Sequence, residues 1–128
     1  MPHKKESKEF QEVVGKIKNL FNRWTNKLYL PQYRILVHFY EDQAHYIADS
    51  EAVDYRSAMR VEVDWPYALA EVDVCLPLVA QLNDKELREA VVHELLHVKV
   101  AGWAKFETPE HEERLVTELA RIICSLED

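Results

Sequence analysis

Twice between Ala58 and Leu76 the hydrophobic period of the chain is two, and past Pro77 it becomes helical. Met59, Val61 and Val63 alternate with Arg60, Glu62 and Asp64. Ala70, Val72, Val74 and Leu76 likewise oppose Glu71 and Asp73. Successive side chains of a strand point to opposite faces, so these residues predict two strands, Ala58–Asp64 and Ala70–Leu76, each with one wet face. Trp65-Pro66-Tyr67 between them predicts a hairpin connection. A third extended run, Gln32 to Tyr40, is rich in aromatic and β-branched residues.

Upstream, Phe10, Val13, Val14, Ile17, Leu20, Phe21, Trp24 and Leu28 recur at helical spacing and predict an amphipathic helix over about residues 7–29, stopped by Pro31. Residues 41–56 are polar and irregular, which fits a loop or a short helical turn. Past Pro77 the helical period returns. Asn83 followed by Glu86 has the spacing of a capping box, and Leu87, Ala90, Val91, Leu95 and Val98 continue the stripe toward a stop at Gly102. Thr108-Pro109-Glu110 then opens a last helix to about Leu126, with a capping hydroxyl, a proline in the first turn and acids near the positive end of the dipole. The order helix, three strands, two helices predicts an α+β fold with helices packed on one small sheet. The length of 128 residues fits a single domain spanning 1–128.

Composition narrows the partners. Sixteen basic against 23 acidic residues leave a net charge of −7, which argues against a nucleic-acid backbone or an anionic membrane surface as main partner. No apolar stretch approaches the ~20 residues a membrane span requires. The start, with His3-Lys4-Lys5 offset by Glu6 and Glu9, resembles neither a signal nor a transit peptide. Cys75 and Cys124 sit in apolar contexts and form no Cys-x-x-Cys pair, so they read as buried free thiols, and a cytoplasmic location is expected.

The chemistry concentrates in His93-Glu94-Leu95-Leu96-His97. Histidines four apart on a helix present both imidazoles to a common point. Zinc accepts imidazole nitrogen, and a catalytic zinc site uses three protein ligands with one position left for water. Glu94, turned about 100° round the axis from His93, is placed to take a proton from water that the ion has acidified. A third ligand is expected on the next helix, where Glu112, Glu113 and Glu118 are the candidates and His111 an outsider. The Glu112 stripe carries Leu115, Val116, Leu119, Ile123 and Leu126, large residues suited to the main core. The Glu113 stripe carries Val116, Thr117, Ala120 and Cys124. Smaller side chains allow the close approach that two helices sharing one metal require, which favours Glu113 as the third ligand; Glu112 and Glu118 stay open as alternatives that read more readily as solvated helix acids.

With these residues the chain resembles the gluzincins, zinc peptidases with an HExxH helix and a glutamate ligand on a following helix. Size and element order look most like the minigluzincins and the small metallopeptidases of phages and mobile elements. Glu113-Arg114-Leu115-Val116-Thr117-Glu118-Leu119-Ala120 is similar to the glutamate helix of mobile-element peptidases that inactivate repressors, with Val116, Leu119 and Ala120 in the small or apolar places. The resemblance covers about residues 83–126. It implies zinc on His93, His97 and Glu113, Glu94 as general base and then acid, and a strand edge that receives an extended peptide or flexible protein segment. Lys99 stands where these enzymes usually carry an apolar residue, and the Asn-Glu-x-x-Ser-Asp motif of larger gluzincins is absent.

Three matters stay open at the level of sequence. Metal-ligating histidines are expected to be oriented by an outer partner, but no residue is singled out for that task. Tyr40, Tyr67, His38 and His111 are the side chains that could steady an oxyanion, and Trp24, Trp65 and Trp103 read as core anchors. The alternative to an enzyme is an interaction module of the same fold, its cleft filled by another protein or by the chain's own N-terminal segment of about 30 residues.

Overall fold

The computed structural model describes residues 8–50, 58–101 and 109–127. The described residues form an α+β arrangement of five α-helices and one mixed three-stranded sheet. In chain order the elements are α1 (Lys8–Lys27), β1 (Arg34–Tyr40), α2 (Gln43–Ser50), β2 (Met59–Asp64), β3 (Leu69–Cys75), α3 (Leu76–Val79), α4 (Asp84–Val100) and α5 (Pro109–Glu127).

The sheet order is β1-β3-β2. β3 pairs in parallel with β1, Arg34 opposite Leu69 through Tyr40 opposite Cys75, and antiparallel with β2, Met59 opposite Val74 through Asp64 opposite Leu69. The connection between β2 and β3 is a 3-10 turn, Trp65–Tyr67, followed by Ala68 in the left-handed region at φ 51°. Ala70, Val72 and Val74 are fully buried on the inner face of the central strand, while Glu71 faces solvent. This is the alternation read from the sequence, realised against a layer of helices.

The α1 stripe of Phe10, Val14, Ile17, Phe21 and Trp24 is buried in the same core as the inner face of β3 and the apolar face of α4. α1 ends at Lys27, two residues short of the expected bound and in a turn of its own ahead of Pro31. Leu30 N–H donates to Thr25 O at 2.9 Å and Tyr29 N–H to Asn26 O at 3.1 Å, with Tyr29 at φ 57°. This is the Schellman pattern, with tyrosine where glycine is usual and Leu30 buried beneath the turn. The Lys99 ammonium donates to the Tyr29 carbonyl at 3.3 Å and lies 6.0 Å from its ring centroid. The cation that interrupts the apolar pattern of α4 thus holds the α1 turn in place.

Two helices depart from the expectations. Part of the polar stretch 41–56 forms α2, opened by Asp42, whose side chain accepts from Ala44 N–H at 2.8 Å and whose carbonyl accepts from Tyr46 N–H at 3.1 Å. Tyr46 is wholly buried, its ring edge-on to Tyr40 at 5.8 Å. The third strand ends at Cys75, one residue early, because Leu76-Pro77 begins the single turn of α3, where proline suits the first positions of a helix. Gly102, Trp103 and Thr108, expected as helix stop, core anchor and cap, lie outside the described residues, as does the side chain of Trp65.

α4 starts as expected. Asn83 Oδ1 accepts from Glu86 N–H at 2.8 Å, and Glu86 Oε1 accepts in return from Asn83 N–H at 3.0 Å. Replacing Asn83 with alanine leaves both first-turn donors without this partner. The expected loss is about 1 kcal/mol, measured as a shift in the urea midpoint at unchanged slope. An unchanged midpoint contradicts the assignment.

The packing of α5 inverts part of the stripe argument. Val116, Ala120 and Cys124 are the buried residues, and α5 lies along α4 on this narrow face. The larger residues were expected in the main core, yet Leu115 is 39% exposed and Leu126 81%, with Leu119 and Ile123 half-buried. Close approach of two helices needs small side chains at the seam, and that requirement overrides hydrophobicity in choosing the buried face. Both cysteines are buried free thiols, and burial is the main cause holding each above the ordinary thiol range.

Candidate metal centre

The capping box fixes where α4 begins, and the buried stripe Leu87, Val91, Leu95 and Val98 fixes its rotation against α1 and the sheet. His93 and His97 consequently face the side covered by β2 and the first turns of α5. Their rings meet edge-to-face at 5.0 Å between centroids, and their Nε2 atoms are 3.3 Å apart.

α5 brings Glu113 to the same point. Its Oε1 is 2.7 Å from His93 Nε2 and its Oε2 is 3.0 Å from His97 Nε2. His93, His97 and Glu113 form a group of donors that could hold a metal ion, each offering one ligand atom within 4.8 Å of the others. The donor set fits zinc. Tetrahedral ligands about 2.0–2.1 Å from the ion stand about 3.3 Å apart, which is the spacing of the two imidazole nitrogens. The set of two imidazoles and one carboxylate is also that of known catalytic zinc sites.

Glu112, the neighbour of Glu113, does not sit as a solvated helix acid. Its Oε2 lies 2.9 Å from His97 Nδ1, on the far side of the ring from Glu113. Glu118 is exposed and points elsewhere, 3.8 Å from Arg114 on its own helix. His111 is exposed on α5.

Beside this cluster opens a cleft of about 400 Å³, lined by Met59, Arg60, Val61 and Val63 of β2, by His93, Glu94 and His97 of α4, and by Glu112 and Glu113 of α5. Glu94 is the one buried charged side chain among the described residues. Burial first, and the Glu113 carboxylate second, hold its carboxyl well above the ordinary carboxylate range. Burial is also the main cause that lowers His93, favouring the neutral imidazole, against the opposing pull of Glu113. Desolvation thus favours the uncharged form of each, and a neutral imidazole is the form that binds a metal.

Tyr40, Tyr67, His38 and His111 are not among the described residues that line the cleft. Tyr67 is 80% exposed beyond β2. Glu112, weighed in the sequence as a rival ligand, stands instead on the Nδ1 side of His97. Its signal was present in the pair Glu112-Glu113, because two carboxylates 100° apart on one helix can reach two sides of one imidazole. No protein-family model, curated protein or solved structure matches the chain.

Proposed function

We propose that this protein is a zinc-dependent peptidase that hydrolyses an extended peptide or a flexible protein segment. The reading rests on one observation: His93, His97 and Glu113 converge on a point in an open cleft that also contains a buried carboxylate, Glu94. In this reading the two histidines bind through Nε2 and Glu113 through its carboxylate. Zinc when bound supplies Lewis acidity, lowering the pKa of water and polarising a carbonyl.

The chain's own residues do the rest. Glu94, on the same helix as both histidines, takes a proton from the attacking water as its oxygen bonds to the scissile carbonyl carbon. It returns that proton to the departing amine nitrogen as the carbon–nitrogen bond breaks. A base held above the ordinary carboxylate range suits both transfers, because it gives the proton up late and accepts it readily.

The substrate lies along β2. This strand is at the sheet edge, pairs among the described residues with β3 alone, and lines the cleft with Met59, Arg60, Val61 and Val63. An extended peptide added there gains main-chain hydrogen bonds without regard to its side chains.

The test is turnover. Purified full-length protein loaded with zinc is incubated with a mixed peptide library, and new termini are identified by mass spectrometry. Cleavage that stops on chelation and returns with zinc is the expected result. A protein that binds zinc yet cuts nothing in the library contradicts the reading in favour of the interaction module.

A further inference from the structure

We propose that Glu112 is the positioning residue of the site, selecting the tautomer and orientation of His97 so that Nε2 is available to the metal. The inference rests on the metal-site reading above and assigns a role that the ligand set itself does not contain.

Two observations carry it. The Glu112 carboxylate oxygen is 2.9 Å from His97 Nδ1, while His97 Nε2 faces His93 and Glu113 at 3.3 and 3.0 Å. With the metal on Nε2, the remaining ring N–H is the one on Nδ1, and the Glu112 carboxylate oxygen stands where it accepts that hydrogen bond. A neutral imidazole protonated at Nδ1 has its lone pair on Nε2, the nitrogen that faces the cluster. The second observation is placement. The Glu112 side chain is 32% exposed against 56% for Glu113, so the contact with Nδ1 is the more shielded of the two carboxylates' contacts.

Both carboxylates come from consecutive residues of α5, whose register against α4 is set by Val116, Ala120 and Cys124. One helix therefore supplies a ligand to the metal and the orienting partner of another ligand. This explains how a chain without the outer aspartate motif of larger enzymes can still fix an imidazole.

The experiment compares wild type, Glu112→Leu, Glu112→Gln and, as control, Glu118→Ala, all full-length. Zinc affinity is measured by competition with a chromophoric chelator. The His97 tautomer is read from imidazole nitrogen and N–H resonances of the zinc-loaded protein. Glu112→Leu, which offers no acceptor, is expected to bind zinc about 10–100-fold more weakly and to lose the protected N–H signal. Glu112→Gln keeps an acceptor of the same reach, so its signal persists at higher field and much of the affinity returns. Glu118→Ala should match wild type. If wild type and Glu112→Leu bind zinc equally, the positioning role is overturned while the metal site stands. A wild type that binds no zinc overturns the underlying reading and this inference with it.

Discussion

Replacing Glu94 with glutamine is expected to reduce peptide hydrolysis by about 10²–10⁴-fold while zinc stays bound. The amide matches the carboxyl in size, so the packing around this buried position is kept, but it cannot accept the proton of an attacking water. Folding should not suffer. Burial here penalises the charged carboxylate and is the main cause that raises its pKa. An uncharged isostere removes that cost, as substitutions at functional positions often do. The variant should therefore melt no lower than wild type, with its activity gone. Loss of activity accompanied by loss of zinc would place Glu94 in metal binding instead. Undiminished cleavage would exclude it as the base.

The second large effect concerns the third ligand. Glu113→Ala is expected to weaken zinc binding by at least about 100-fold, more than the loss of an outer partner costs. Its carboxylate alone contacts the Nε2 atoms of both histidines, at 2.7 and 3.0 Å. The side chain is 56% exposed and is not one of the residues of α5 buried against α4, which are Val116, Ala120 and Cys124. Metal loss and unfolding can thus be told apart by circular dichroism of the metal-free proteins. Glu118→Gln should leave zinc binding intact. The reverse pair of results would move the ligand to Glu118 and require α5 to be rotated from the position described.

The reading from sequence succeeds where one physical signal dominates. The alternation through β2 and β3, the α1 stripe and the capping box at Asn83 are each local, and each appears in the structure at nearly the expected residues. The i, i+4 spacing of His93 and His97 is local too, since helix geometry alone makes their rings meet.

Sequence reasoning weakens where rotation or distance between elements decides. The burial of Val116, Ala120 and Cys124 in place of Leu115 and Leu126 depends on how closely α5 approaches α4, which composition does not encode. The same rotation brings Glu113 onto the Nε2 side of His97 and Glu112 onto the Nδ1 side. Adjacent glutamates compete for one place in sequence but reach two nitrogens of one imidazole in space. α2 was partly hidden by its polar surroundings, although Asp42 is a competent cap with hindsight of Ala44 N–H as its donor.

Lys99 shows the same limit from the other side. In sequence it is an interruption of an apolar pattern, and its partner, the Tyr29 carbonyl, lies 70 residues away. A left-handed tyrosine at a helix end gives little local warning, since glycine is the residue usually found there.

The most direct test of the account is the metal content of the purified protein, by mass spectrometry, for wild type and His97→Ala side by side. Purification avoids chelators and is followed by zinc add-back and desalting. About one zinc per chain in wild type, lost in a variant that remains folded, is the predicted result. No zinc in either protein, or equal zinc in both, would contradict the metal site on which the proposed chemistry depends.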